Sequence, residues 1–377
     1  MNIGVIGFGA RASHVAAMIL RACGEARLCA IADPDEEGVR RRLGAAGLSG
    51  SEVRLFRSSR EMLESAPRLD AVVIGTRCDR HVDEALAALP YGAPLFLEKP
   101  VATTFADLAR LRRGRERHRT PVVVSFPLRF TPLVRLARSI VESGRIGGVA
   151  HVQAVNNVPY GNICYQGWYR DETITGGLFL QKATHDFDYI RYLAGAEPAA
   201  VTAMTSKTVF VGNRPAGLVC GVCDERERCP ESAVLREKRG EPPLGDGCCF
   251  AEDTGNEDAG SALVRFAGGM HAAYSQNFVA RRGATLIGYK GTIAFDFYEN
   301  ALTVHMHHTD LSERYAPETD GSEHFGGDGA LIAHFLDVVR GEAEPQSSLE
   351  DGMISALLCL HARESAADGR LHEVAWP

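Results

Sequence analysis

The sequence predicts an α/β protein in two parts. A doubly wound parallel sheet fits residues 1–126, and an α+β domain with a mostly antiparallel open sheet fits residues 127–377. Three observations carry this. Short apolar strands alternate with helical patterns from Ile3 to Ser125, and continuous apolar strands between helices imply a parallel sheet covered on both faces. After Pro127 the alternation gives way to short strands joined by glycine turns, such as Gly268-Gly269 and Lys290-Gly291, which fit hairpins. Finally, 377 residues with 45% hydrophobic and 24% charged content suit two domains, each with its own core.

Ile3, Val5 and Ile6 form the first strand, and Gly7 and Gly9 follow at once. A helical pattern starts near Ala12, so Gly7, Gly9, Ala10, Arg11 and Ala12 line a strand–turn–helix junction. Such a junction is a phosphate site, because glycines let the backbone approach closely while the helix N-terminus faces the anion. Ala12 stands where a third glycine is usual, and a small residue there is enough for close helix–strand packing. The next strand, Leu28–Ala32, ends at Asp33, about 20 residues on, where a carboxylate binds ribose hydroxyls. The pattern reads as a dinucleotide site. Asp33 favours NAD, since it repels a 2′-phosphate; Arg11 leaves NADP possible, since a guanidinium can reach one.

Further strands follow at Ala71–Gly75, Leu95–Leu97 and Val122–Ser125, with helices at His81–Leu89 and Thr104–Arg117. Binding residues belong just after strand ends, which selects Thr76, His81 and the run Glu98-Lys99-Pro100. In the second part, a helix at Pro132–Ser143 precedes the strand His151–Val155 and a loop from Asn156 to Arg170. Gly176–Leu193 starts as a glycine turn and becomes helical. Short strands follow from Val201, including Ala262–Phe266, Met270–Ser275, Thr285–Gly288 and Thr292–Phe295. Arg214–Gly260 is the least regular stretch and reads as an excursion from the sheet. Helices at Ala330–Arg340 and Met353–Ala367 close the chain, and they are expected to pack back on the N-terminal domain. His324-Phe-Gly-Gly-Asp328 precedes the first of them and suits either closing the pocket or capping the helix, with the cap preferred.

Four motifs occur in order: Gly7-Phe-Gly-Ala-Arg-Ala12, Thr76 with His81, Glu98-Lys99-Pro100, and Gly176-Gly177 followed by His185-x-x-Asp188. Together they resemble the Gfo/Idh/MocA family across nearly the whole chain. The resemblance implies a Rossmann domain, then a domain whose open sheet makes a homodimer or homotetramer interface. It also implies hydride exchange between NAD or NADP and a secondary alcohol of a sugar or cyclitol. By resemblance Lys99 and His185 are the proton-transfer residues, and Asp188 lies near substrate. Thr76, His81 and Glu98 are placed around the nicotinamide end. The chain departs from the common pattern at Gln181, where many members carry an aspartate, and this puts the usual proton relay in question. It matches instead a subgroup with a Gln-Lys-x-x-His run and a cysteine-bearing insertion. Two further readings share the fold. One is a redox-neutral epimerase, eliminase or glycosidase that oxidises its sugar transiently on tightly held NAD; the other is a non-catalytic cofactor-dependent sensor.

The proposed roles suit the side chains. An imidazole titrates near neutral pH, and an ammonium stabilises a developing alkoxide. Arg129, Tyr160, Trp168, Tyr169 and Gln181 join Asp188 as candidate substrate contacts, since aromatic faces suit sugar C–H faces and polar groups suit hydroxyls. Cys220, Cys223, Cys229 and Cys248 suit a structural zinc, with free thiols or a disulfide as alternatives; Cys248 is preferred to Cys249 by the subgroup resemblance. A net charge of −7 gives no support to nucleic-acid binding. No apolar run reaches a membrane span and no signal peptide precedes the first strand, so the expected location is cytoplasmic.

Overall fold

The computed structural model describes residues 1–48, 52–157, 161–241, 245–277 and 281–377. The chain forms two compact units: Met1–Arg135 with Glu318–Leu357 and Trp376–Pro377, and Leu136–Pro317 with Leu358–Ala375. The first break thus falls at 135/136 rather than 126/127, and a long C-terminal stretch returns to the first unit.

The first unit runs β1 (Asn2–Ile6), α1 (Ala10–Ala22), β2 (Arg27–Ala32), α2 (Glu36–Ala45), β3 (Arg54–Phe56), α3 (Ser59–Ser65), β4 (Ala71–Ile74), α4 (His81–Ala88), β5 (Leu95–Leu97), α5 (Phe105–Arg117) and β6 (Val122–Val124). Its six strands are parallel in the order β3-β2-β1-β4-β5-β6. The order reverses between β1 and β4, so a crevice opens beyond their C-terminal ends, where Gly7 and Thr76 lie. β4, β5 and β6 are buried throughout, which explains their unbroken apolar sequences. The sequence pattern missed α2, β3 and α3. α2 is largely charged and starts from the Asp35 cap, whose Oδ1 accepts from Gly38 N at 2.9 Å.

In the second unit come α6 (Pro132–Glu142, begun in the first), β7 (Val149–Asn157), α7 (Gly161–Gln166), α8 (Glu172–Thr175), a π-helical turn at Phe179–Ala183, α9 (Thr184–Ala194) and β8 (Pro198–Ser206). After the cysteine excursion, which contains α10 (Ala233–Lys238), come β9 (Ala259–Phe266), β10 (His271–Asn277), β11 (Arg281–Gly288), β12 (Gly291–Asp296), β13 (Ala301–Met306) and β14 (Ser312–Tyr315). The predicted loop 156–170 thus contains the end of β7, α7 and a 3₁₀ turn at Trp168–Arg170. Burial alternates along β9, β10 and β12, as a sheet with one covered face requires. On the other face Met204 is 78% and Leu263 54% exposed. Asp258 closes the base of the excursion: its Oδ2 accepts from the backbone N–H of Thr208, Val209 and Phe210 at 2.6–3.0 Å. Cys164, Tyr165, Leu178, Phe210 and Cys249 form a small core beside it.

α11 (Gly327–Arg340) belongs to the first unit, where Leu331, Ile332, Phe335 and Leu336 join the core and Phe335 meets Phe96 edge-on at 5.3 Å. α12 (Leu349–Asp368) follows, and β15 (His372–Glu373) pairs with β8. The nine-stranded sheet of the second unit has the order β14-β13-β12-β11-β7-β10-β9-β8-β15; β7 and β10 are parallel and the other neighbours antiparallel.

Candidate functional site

The glycine turn of the first unit is a cradle shaped by close approach. Gly7 has φ +77°, and a Cβ there would lie 2.6 Å from Thr76 Cγ2 and 2.7 Å from the Thr76 backbone, so only glycine fits. A Cβ on Gly75 would meet Ala12 Cβ at 2.6 Å, which explains why position 12 must be small. A Cβ on Gly9 would meet nothing within 4 Å, so the backbone at the start of α1 is approachable from outside. Thr76 Oγ1 is buried with no hydrogen-bond partner among the described residues. An open glycine, a helix N-terminus and an orphaned hydroxyl at the strand-order reversal fit a dinucleotide. Asp33 stands at the end of β2, as a ribose ligand should, and also holds the turn: its Oδ2 accepts from Phe8 N at 2.8 Å and its Oδ1 from Asp35 N at 2.9 Å. A carboxylate has acceptor capacity for two more donors.

Beyond β5, Glu98 is buried and Lys99 half-buried. Glu98 Oε1 accepts from Arg11 Nε at 3.1 Å, and Asp328 accepts from the two terminal Arg11 nitrogens at 2.7 and 2.6 Å. Arg11 is therefore committed to two carboxylates of its own unit. His81 is 1% exposed and turns Nδ1 to Pro100 O at 2.7 Å and Nε2 to Thr76 O at 3.1 Å. Burial pushes its pKa down, against the carbonyls and Glu98, which raise it. His81 thus ties the loop carrying Lys99 to the loop carrying Thr76 rather than offering a nitrogen to a ligand. The resemblance placed it around the nicotinamide end; in the structure both of its ring nitrogens face backbone carbonyls.

His324-Phe-Gly-Gly-Asp328 does more than cap a helix, since Asp328 is the bidentate partner of Arg11 and also faces His324 Nδ1 at 3.0 Å. Burial works against its charged form, but hydrogen bonds from Arg11 and His324, and their charges, outweigh it and hold the carboxyl well below its usual 3.8. A depressed carboxyl adds stability that is present above the unfolded pKa and drains away as pH falls toward the folded one. Wild type is therefore expected to have a higher denaturant midpoint than Asp328→Asn near neutral pH, and the gap should narrow below about pH 4. Denaturation curves across that range check this; a pH-independent gap would refute the linkage.

In the second unit, the π-helical turn contains Gln181 and α9 carries His185 and Asp188, all three buried. Gly176 and Gly177, with φ +78° and +91°, make the turn before them. Glu257 receives the helix start: Oε2 accepts from Leu178 N at 3.1 Å and Oε1 from Phe179 N at 2.7 Å. Burial pushes the Glu257 carboxyl up, and the backbone donors pull it back. Asp186, 0% exposed, pins α9 to the sheet. Its Oδ1 accepts from Arg282 Nη2 at 2.8 Å and Nε at 3.1 Å, and its Oδ2 from Tyr274 Oη at 3.0 Å and from Asn156 Nδ2. Burial raises the Asp186 carboxyl, against Arg282 and the other donors. Three strands, β7, β10 and β11, therefore fix the rotation of the helix, and so the direction of His185.

Other candidates are less gathered. Arg129 is buried in the first unit and donates to Gln346 O and, at 3.2 Å, to Asp351 Oδ2, a packing role. Trp168 and Tyr169 stack at 4.0 Å in the second unit. Tyr160 lies outside the described residues. Cys220, Cys223, Cys229 and Cys248 line one small cavity with Cys249, Gln166 and Ser232. Burial pushes the Cys220 and Cys229 thiols up. Among the described residues, the sets of three ligand atoms within 4.8 Å of one another are His361, Glu364 and His372, and His14, Glu323 and Asp328; the sulfurs are not among them. No described helix is long and apolar enough to cross a membrane.

Residues 1–126 match the model of an oxidoreductase family with an NAD-binding Rossmann fold, and residues 134–294 match the GFO/IDH/MocA C-terminal domain. The chain belongs to the Gfo/Idh/MocA family. Inositol 2-dehydrogenase of Rhizobium meliloti is 27% identical over 100% of this chain and 99% of that protein. An oxidoreductase domain protein from Kribbella flavida has the same fold, with a TM-score of 0.79 at 22% identity over 99% of this chain and 98% of that one. So does levoglucosan dehydrogenase, solved with NADH and levoglucosan, at TM-score 0.77 and 20% identity over 99% of each chain. The protein is thus a Gfo/Idh/MocA enzyme of the oxidoreductase class with an NAD-binding first domain.

For this Gfo/Idh/MocA chain, sequence reasoning missed Asp186, Glu257 and the Arg11 pairing of Asp328. A signal existed for the first: an aspartate beside His185, on an otherwise apolar helix face, must meet a cation or several donors if buried. No local signal marked Glu257.

Proposed function

We propose that this protein is an NAD-dependent dehydrogenase acting on a secondary alcohol of a sugar, cyclitol or sugar derivative, with Lys99 and His185 handling the proton. The cradle of Gly7, Gly9 and Thr76 is the observation that carries the reading, because it suits a dinucleotide and places Lys99 on a neighbouring strand end. The substrate class follows the relatives, whose names are inositol 2-dehydrogenase and levoglucosan dehydrogenase. A bound nicotinamide supplies the hydride acceptor. The chain's part is to orient the alcohol and take its proton, with the Lys99 amine or the His185 imidazole as acceptor and a Lys99 ammonium able to stabilise the alkoxide. NAD is favoured over NADP, since Asp33 follows β2, where a carboxylate would meet a ribose, while Arg11 is held by Glu98 and Asp328. A panel of sugars, inositols and amino sugars with each cofactor, followed by absorbance of the reduced form, tests this. Substrate conversion without net NADH would instead favour the redox-neutral reading.

Two structural proposals accompany it. The open sheet face bearing Met204 and Leu263 pairs with a second copy, giving a homodimer or homotetramer. Light scattering on Met204→Glu/Leu263→Glu should then give the mass of one chain, against a multiple of it for wild type. Cys220, Cys223, Cys229 and Cys248 hold a structural zinc, which would stabilise an excursion with little regular structure. Freshly purified protein should then carry a zinc that Cys220→Ser loses.

A further inference from the structure

The last turns of α12 and the strand after it bring together a group unrelated to hydride transfer. His361, Glu364 and Asp368 recur at helical spacing on α12, and His372 comes from β15. Glu364 Oε2 lies 3.5 Å from His361 Nδ1 and 3.4 Å from His372 Nδ1. One ligand atom from each of the three lies within 4.8 Å of the other two. Tetrahedral bonds of about 2.0–2.1 Å set neighbouring ligand atoms roughly 3.3–3.4 Å apart, close to these separations.

The tautomers also suit ligation. His361 Nε2 is 3.0 Å from Ala375 O; a carbonyl only accepts, so that nitrogen carries the hydrogen. His372 Nε2 lies 3.1 and 3.0 Å from the two Asp368 carboxylate oxygens, which likewise makes it a donor. Both rings therefore orient Nδ1 toward Glu364 while a carbonyl or carboxylate holds the far nitrogen. This is how metal-binding imidazoles are fixed in orientation and made more basic. The alternative, two imidazolium rings sharing one carboxylate, brings two cations together with centroids 6.1 Å apart for little gain at a partly exposed surface.

We propose that His361, Glu364 and His372 bind a divalent transition metal, with Asp368 and Ala375 orienting the imidazoles and water completing the shell. The two-nitrogen, one-oxygen donor set selects zinc, cobalt or nickel over magnesium or calcium. The metal joins β15, an edge strand of two residues, to α12 and so fastens the chain's end.

Cobalt(II) titration of the metal-stripped full chain is the test. Cobalt in this site gives a visible d–d band without the intense sulfur charge-transfer band that occupancy of the cysteine cavity would add. The expected result is one such cobalt per chain and slower hydrogen exchange at His372 and Glu373. His372→Gln should weaken it at least about 100-fold, and Asp368→Asn, which keeps every ligand, about 10- to 100-fold. No nitrogen-bound cobalt, or binding that survives His372→Gln unchanged, overturns the proposal. Unchanged affinity in Asp368→Asn overturns the orienting role.

Discussion

Lys99→Ala should lower kcat by about 10²–10⁴ with the protein still folded and still binding cofactor. That is the range for losing a positioned proton-transfer or charge-stabilising group. The side chain is half-buried at a strand end, so its removal leaves the sheet intact. Lys99→Arg is the sharper variant. It keeps a cation but cannot release a proton near neutral pH, so low activity there assigns proton transfer to the amine, whereas recovery assigns only charge stabilisation. His185→Ala should fall in the same range and lose the limb of the pH–rate profile that reports the base. Steady-state rates of the three variants, with cofactor fluorescence as a folding and binding control, decide the matter. Turnover within a few-fold of wild type for Lys99→Ala would remove Lys99 from the mechanism.

Asp186→Ala should destabilise the second unit by roughly 3–5 kcal/mol, because it leaves the Arg282 guanidinium buried without its carboxylate. The size of the loss reflects the stranded charge more than the net worth of the pair. Replacing both partners, as Asp186→Leu with Arg282→Met, should therefore recover most of it. Denaturant midpoints of the single and double variants are the check. A loss below about 1 kcal/mol for the single change would mean that water reaches Arg282. Asp186 is a positioning residue, its carboxylate spent on Arg282, Tyr274 and Asn156. Its effect on rate comes through the orientation of α9, so the double variant should regain stability more fully than kcat.

Where the sequence was legible, the reason is local. Gly7 and Ala12 are forced by contacts with Thr76 and Gly75 at adjacent strand ends, and such constraints recur at fixed spacing. Uninterrupted apolar runs marked β4, β5 and β6 because both of their faces are covered. The charged α2 and the three-residue β3 offered no comparable run. The site's supports were hidden for another reason. Arg11 meets Asp328 across 317 positions and Asp186 meets Arg282 across 96, and such distant pairing leaves no periodic trace. His81 and Arg129 show the converse. Each is a polar residue near a strand end, which invites a ligand role, yet folding turns each inward onto carbonyl oxygens.

The cysteine excursion ends one residue before Asp258, on Glu257, whose carboxylate holds the first N–H groups of the winding that leads to His185. The excursion is consequently not an ornament that can be trimmed. A shortened version that removed this carboxylate would leave two amides to find other acceptors at the point where the coil is wider than an α-helix. Grafting the excursion into a relative would therefore have to carry Glu257 along.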